Sequence, residues 1–269
     1  MLPLSFAASF PPERHYLSTL MKYIKTHRTA VTVDEISDAT GIPQGKSTGK
    51  VVPHLKYLLG MNLIQPDGND WYHLTPFGKV VYEYDRSFSE PITAWACHAF
   101  LCDKMNGSPL YREACILLSS GASVSREVLV ERISENLISK LDDSVVSPMI
   151  GFYFNDNAFS GAHIIIKDGV GLNLNSVPLR KVFIPLFGAF VCYYLEAYFS
   201  TKEQVSSTEF LEETSFSRIF GITEQDFISL LDPLSGEGYI KVSNLVNPPV
   251  MTRTKATSEC WEDLYMYIV

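Results

Sequence analysis

The run Gly41-Ile-Pro-Gln-Gly45-Lys46-Ser47 holds the residue types that bind phosphate: two glycines, a lysine and a hydroxyl. A Walker A loop needs four residues between its glycines, a strand before it and a helix after it, so that successive backbone N–H groups encircle the phosphates. Here only three residues intervene, and the preceding pattern is helical. An ATP loop is therefore set aside. The same residues suit a DNA phosphate, because a helix N-terminus offers free N–H groups and a partial positive charge. Ser47 and Thr48 add hydroxyls there, Lys46, Lys50 and Lys56 add charge, and Gly45 and Gly49 let the backbone come close. With His54 on the same helix, the expected DNA-facing set is Lys46, Ser47, Thr48, Lys50, His54 and Lys56.

Other clusters carry less. Cys97, His98, Cys102 and Cys115 have the chemistry of zinc ligands, but they lack paired C-x-x-C knuckles and sit in apolar helical stretches, so packing in the core is the expectation. Asp142-Asp143 and Asn155-Asp156-Asn157 could hold a hard cation, yet such pairs ordinarily cap helices or form Asx turns. Asp156, His163, Lys167 and Asp168 lie near an expected strand and turn and form a candidate set for metal-assisted cleavage. No hydrolase or metalloprotease signature is present, so no metal ligand and no catalytic residue is named.

These residues need elements to position them. Tyr16, Leu17, Leu20, Met21 and Ile24 repeat at helical spacing, and Thr32 with Glu35 forms a capping box for a helix over 33–40. Gly41-Ile42-Pro43 reads as a turn. A third helix is expected from about Ser47 to Gly60, and a hairpin pairs Leu63-Ile64 with Trp71–Leu74. Successive strand residues alternate, so one of Trp71 and Tyr72 is expected in the core and the other outside. Helix, helix, tight turn, helix, hairpin is the winged helix-turn-helix order.

Beyond a polar segment at 85–91, helices are expected at 92–105, 109–119 and 125–141, then a short hairpin around Asp168-Gly169 and a long helix at 178–199. The tail, with helices over 208–231 and a hairpin of 239–242 with 250–254, follows the order of the head. The fold class is thus mainly α with small β-hairpins. Three parts are expected: a winged helix at 1–86, a mainly helical middle at 87–177, and a long helix with a second, degenerate winged helix at 178–269.

Composition narrows the setting. The 269 residues carry 22 Lys+Arg against 30 Asp+Glu, a net −8. That excludes a protein that coats nucleic acid non-specifically. From Phe10 to Gln65, however, seven Lys/Arg stand against four acids, a local +3. One face meeting a polyanion leaves such a footprint. Five cysteines among apolar neighbours read as reduced core residues of a cytoplasmic protein. The start lacks the basic region of a secretory leader. Val182–Leu195 falls short of the roughly 20 residues that span a bilayer, so a buried helix and no membrane partner are expected.

Phe10 with Glu13-Arg14-His15, Glu35-Ile36-Ser37, Thr40-Gly41-Ile42-Pro43, Gly45-Lys46-Ser47 and Gly49-Lys50 together resemble the SspB-type proteins of bacterial DNA phosphorothioation systems. The resemblance implies a DNA-binding component working beside a cysteine desulfurase, an ATPase and an adenylating sulfur-transfer enzyme. It also implies nicking of one strand so that sulfur can replace a phosphate oxygen, with a divalent metal as the cofactor such a nickase would use. No catalytic motif maps residue by residue. Two other uses stay open at this point: a winged-helix transcriptional regulator without catalysis, and an adaptor that binds protein. A homodimer is compatible with all three.

Overall fold

The computed structural model describes residues 1–45, 47–68 and 71–268. It is mainly helical with small antiparallel sheets, and the chain divides into two compact units, Met1–Asn175 and Ser176–Val269.

The first unit opens with α1 (Arg14–Thr26), which buries Leu17, Leu20, Met21, Tyr23 and Ile24, the face that its apolar spacing predicts. The expected capping box starts α2 (Val33–Thr40): Thr32 Oγ1 accepts the Glu35 N–H, and the Glu35 carboxylate accepts the Thr32 N–H. Gly41 ends the helix at φ +70°, a conformation open to glycine because it has no Cβ. The third helix, α3 (Val51–Gly60), begins four residues later than expected. Residues 43–50 close into a loop first, with Lys50 N–H donating to Pro43 O and Gly49 N–H to Gly45 O. Pro53 therefore falls in the first turn of α3, where its missing N–H costs nothing.

The hairpin β1 (Ile64–Pro66) and β2 (Tyr72–Leu74) pairs Ile64 with Leu74 and Pro66 with Tyr72; Asn69, which the sequence places with Pro66, Asp67 and Gly68 in its turn, lies outside the described residues. Trp71 is buried and Tyr72 is half-exposed. A helix that the sequence reading omitted follows directly, α4 (Pro76–Tyr84), capped by Thr75, whose Oγ1 accepts the Gly78 N–H. Thr followed by Pro at the first helical position is its overlooked signature.

The polar segment at 85–91 is not a loose linker. The buried Asp85 carboxylate accepts the N–H groups of Ser89 and Glu90 and the hydroxyl of Thr93, at 2.8, 3.0 and 2.6 Å. It locks the entry to α5 (Pro91–Leu101). Beyond it come α6 (Pro109–Leu118), α7 (Arg126–Asn136) and α8 (Asp143–Phe154). The helix expected to 141 stops at Asn136, and α8 was hidden because Pro148 lies inside it. The strands β3 (Ile165–Asp168) and β4 (Gly171–Leu174) form the expected short hairpin. The core continues across residue 86. Phe6 meets Tyr57 of α3 edge-on at 4.9 Å, and the Tyr57 and Tyr111 hydroxyls lie 3.3 Å apart. A single compact unit thus spans what the sequence reading divides into two parts.

The second unit is built on α9 (Ile184–Tyr198). It starts later than expected because Pro185 belongs in a first turn. Lys181–Tyr198 is apolar and long enough to cross a membrane, but most of it is buried, as suits a core helix. Gly188 marks its closest approach, since a Cβ there would meet the Tyr239 ring at 2.5 Å. Then follow β5 (Val205–Ser206), α10 (Ser207–Thr214), α11 (Phe216–Ile219), α12 (Glu224–Gly236), β6 (Ile240–Ser243), β7 (Val250–Arg253) and α13 (Thr257–Glu262). The strands order as β5-β7-β6, all antiparallel. The expected tail elements are therefore present, with β5 added to the hairpin.

Candidate nucleic-acid interface

The loop between α2 and α3 is tight. A Cβ on Gly49 would stand 2.8 Å from the Gly45 carbonyl oxygen, so the loop needs glycine there. Ser47 and Thr48 are both exposed on its surface. Lys46, placed at the centre of the expected phosphate contact, lies outside the described residues.

Lys50 is only half-exposed and already engaged. Its Nζ is 2.5 Å from Glu13 Oε1 and sits over the rings of Tyr16 and Phe10 at 5.3 and 5.6 Å. A lysine so held contributes less field to a polyanion than a free one.

His54 does not belong to the DNA-facing set. It is completely buried, and both ring nitrogens are spent on the backbone. Nε2 accepts the Glu13 N–H at 2.9 Å, and Nδ1 lies 2.7 Å from Lys50 O as its donor. Burial strips water from the charged ring and lowers its pKa to about 4, although the Lys50 carbonyl and Glu13 pull the other way. His54 is the pin between the start of α1 and the start of α3. Its spacing among lysines suggested a surface residue, but it shares the inward face with Val51, Leu55 and Leu58.

The outward strip of α3 is narrow: Val52 is exposed, while Lys56 and Leu59 are half-exposed. A second cationic surface lies beside the hairpin. Lys25, His27, Arg28, His73 and Lys79 line a cleft of about 660 Å³, with Asp67 and Glu83 at its wall. Trp71 orders this cleft by donating its Nε1–H to His27 O at 2.9 Å. Lys79 and His73 were missed because they follow the stretch in which charge was counted, and only the fold brings them to α1.

The middle candidates do not converge. Asp142 caps α8, accepting the Ser144 N–H at 2.9 Å, and Asp143 pairs with Arg126. Asn155 Oδ1 accepts the Asn157 N–H at 2.8 Å in an Asx turn. Asp156 Oδ1 accepts the Ser160 hydroxyl, and Asp156, His163, Lys167 and Asp168 are all exposed. Among the described residues, three ligand-bearing side chains meet only at His98, Cys102 and Cys115. In the second unit, Arg253 is paired with Glu196 at 2.7 Å and Lys255 with Asp263, so neither is a free cation for a second DNA face.

No protein-family profile and no curated protein sequence matches the chain. Two crystal structures of SspB are similar to it. The magnesium-bound one superposes with a TM-score of 0.72 at 14% identity, and another with 0.69 at 15%. Each alignment covers 97% of this chain and 86% of the other. Identity this low carries architecture and nothing finer. The chain has an SspB-type fold.

Proposed function

We propose that this protein is the DNA-binding component of a bacterial DNA phosphorothioation system. The observation that carries the reading is the SspB-type fold, which runs through 97% of the chain. The order α1-α2-α3-β1-β2 adds support, since it is that of a winged helix-turn-helix, with the hairpin as wing. The second unit repeats that order from α10 to β7 as a degenerate winged helix in which Arg253, at the end of β7, is already paired with Glu196. DNA meets the first unit, where the local charge excess lies, through Ser47 and Thr48 in the loop before α3 and Lys56 on its outer strip, with Lys46 adjoining Ser47 in sequence. The cleft cations Lys25, Arg28 and Lys79 extend the positive surface along the wing. The partners that the resemblance implies are a cysteine desulfurase, an ATPase and a sulfur-transfer enzyme.

Nicking of one strand is the second part of the proposal. One SspB structure holds magnesium, an ion that takes oxygen ligands in octahedral array. Among the described residues no three carboxylates converge; the one group of three His, Cys, Asp or Glu side chains offers two sulfurs and an imidazole. No residue is assigned to the cut, and no step is routed through magnesium.

Supercoiled plasmid incubated with the full chain and Mg²⁺ or Mn²⁺ tests both parts. Retarded plasmid and open circles that a chelator abolishes are expected. Retardation without open circles removes the nicking part and leaves the binding role. Plasmid that is neither retarded nor opened overturns the proposal.

A further inference from the structure

The cluster at His98, Cys102 and Cys115 is unrelated to the DNA-facing surface. His98 lies on α5, Cys102 is its C-cap four residues on, and Cys115 comes from α6. Positions four apart share a helix face, so His98 and Cys102 point the same way. His98 Nε2 is 3.9 Å from Cys102 Sγ and 3.8 Å from Cys115 Sγ. One ligand atom from each residue lies within 4.8 Å of the others.

Those distances match a metal polyhedron. A tetrahedral zinc with bonds of about 2.3 Å to sulfur and about 2.05 Å to nitrogen sets S···N edges of about 3.6 Å and S···S edges of about 3.8 Å. The observed N···S separations exceed that by a few tenths of an ångström, within reach of small side-chain rotations. Two thiolates and an imidazole are soft donors that favour zinc-class ions over magnesium or calcium. The charges also balance, because two thiolates cancel a dication and no net charge is left in the core. His98 Nδ1 lies 2.9 Å from the Tyr153 hydroxyl. A metal on Nε2 selects the tautomer whose Nδ1–H donates to Tyr153, the outer-shell contact that orients most ligating histidines.

We propose that His98, Cys102 and Cys115 form a structural site for a thiophilic divalent ion of the zinc class, which clamps the end of α5 to the middle of α6. Among the described residues no fourth His, Cys, Asp or Glu joins the group, so three protein side chains hold the ion. Cys97, equally buried on α5, stays outside the cluster and serves as an internal control.

Cobalt(II) reports such a site optically, through sulfur-to-cobalt charge-transfer bands and the ligand-field bands of tetrahedral thiolate coordination. The full chain, reduced and stripped of metal, should develop these bands with saturation at about one ion per chain. Zinc should abolish them and excess magnesium should not. Cys102→Ser and Cys115→Ser should each lose the bands, whereas Cys97→Ser keeps them. The wild-type chain alone decides if the serine variants do not fold. A folded, reduced wild-type chain without the bands overturns the proposal. So do bands that survive both serine substitutions, and so does a Cys102–Cys115 disulfide whose reduction restores no cobalt binding.

Discussion

Replacing His54 with leucine should make the stability of the first unit less dependent on acid. Nε2 accepts the Glu13 N–H and Nδ1 meets Lys50 O, both in the interior. Lys50 O keeps its helical bond from the His54 N–H, so the group that leucine orphans is the Glu13 N–H. That loss costs about 1–3 kcal/mol at neutral pH. The pH dependence follows from the folded pKa of about 4 against the ordinary 6.5. As pH falls below 6.5 the unfolded chain takes up a proton that the folded chain refuses until about pH 4. Stability held above pH 6.5 is therefore lost on the way down to pH 4. At about 1.36 kcal/mol per pKa unit the full loss is about 3 kcal/mol, most of it gone by pH 4.5. Urea unfolding of the full chain at pH 7, 5.5 and 4.5 measures it. His54→Leu should be the weaker protein at pH 7, and the gap should close or reverse at pH 4.5. A gap that stays constant across this range refutes the buried, neutral pin.

Lys56→Ala should lower the slope of log K against log salt by about 0.9 for the phosphate contact it removes, whereas Lys50→Ala, already paired with Glu13, should change it less; a salt series with labelled duplex compares them. Gly78→Ala should destabilise the first unit by about 3 kcal/mol or more, because its Cβ would stand 1.9 Å from the Leu63 carbonyl oxygen. Thermal unfolding checks this, and an unchanged midpoint contradicts the close approach. A fragment of residues 1–86 should fail to fold, since it bares Phe6 and Tyr57, which pack with Tyr111. A circular dichroism spectrum with a cooperative melt would show otherwise.

Local signals were legible where a single side chain decides the backbone. The Thr32–Glu35 box, the stop at Gly41 and the order of elements in the tail could all be read from short spacings. Two misses were local: the Thr75-Pro76 start of α4 was overlooked, and Pro148 hid α8. Elsewhere long-range packing overrode local pattern: the polar run at 85–91 concealed a buried Asp85 that organises it, and Tyr57 tied the first 86 residues to α6. His54 shows the same effect within the site, since charge on neighbouring positions says nothing about which face turns inward. The His98–Cys102–Cys115 group was visible as residue types, but its convergence needs α6 folded against the end of α5. The cleft beside the hairpin joins α1 to residues from 67 to 83, a separation that no motif spans.

Duplex binding by the full chain, followed by fluorescence anisotropy across a salt series, tests the DNA-binding role most directly. Saturable binding is expected, with log K falling linearly against log salt and a slope that shrinks in Lys46→Ala and Lys56→Ala. A folded chain that leaves the anisotropy of labelled duplex unchanged at low salt contradicts it.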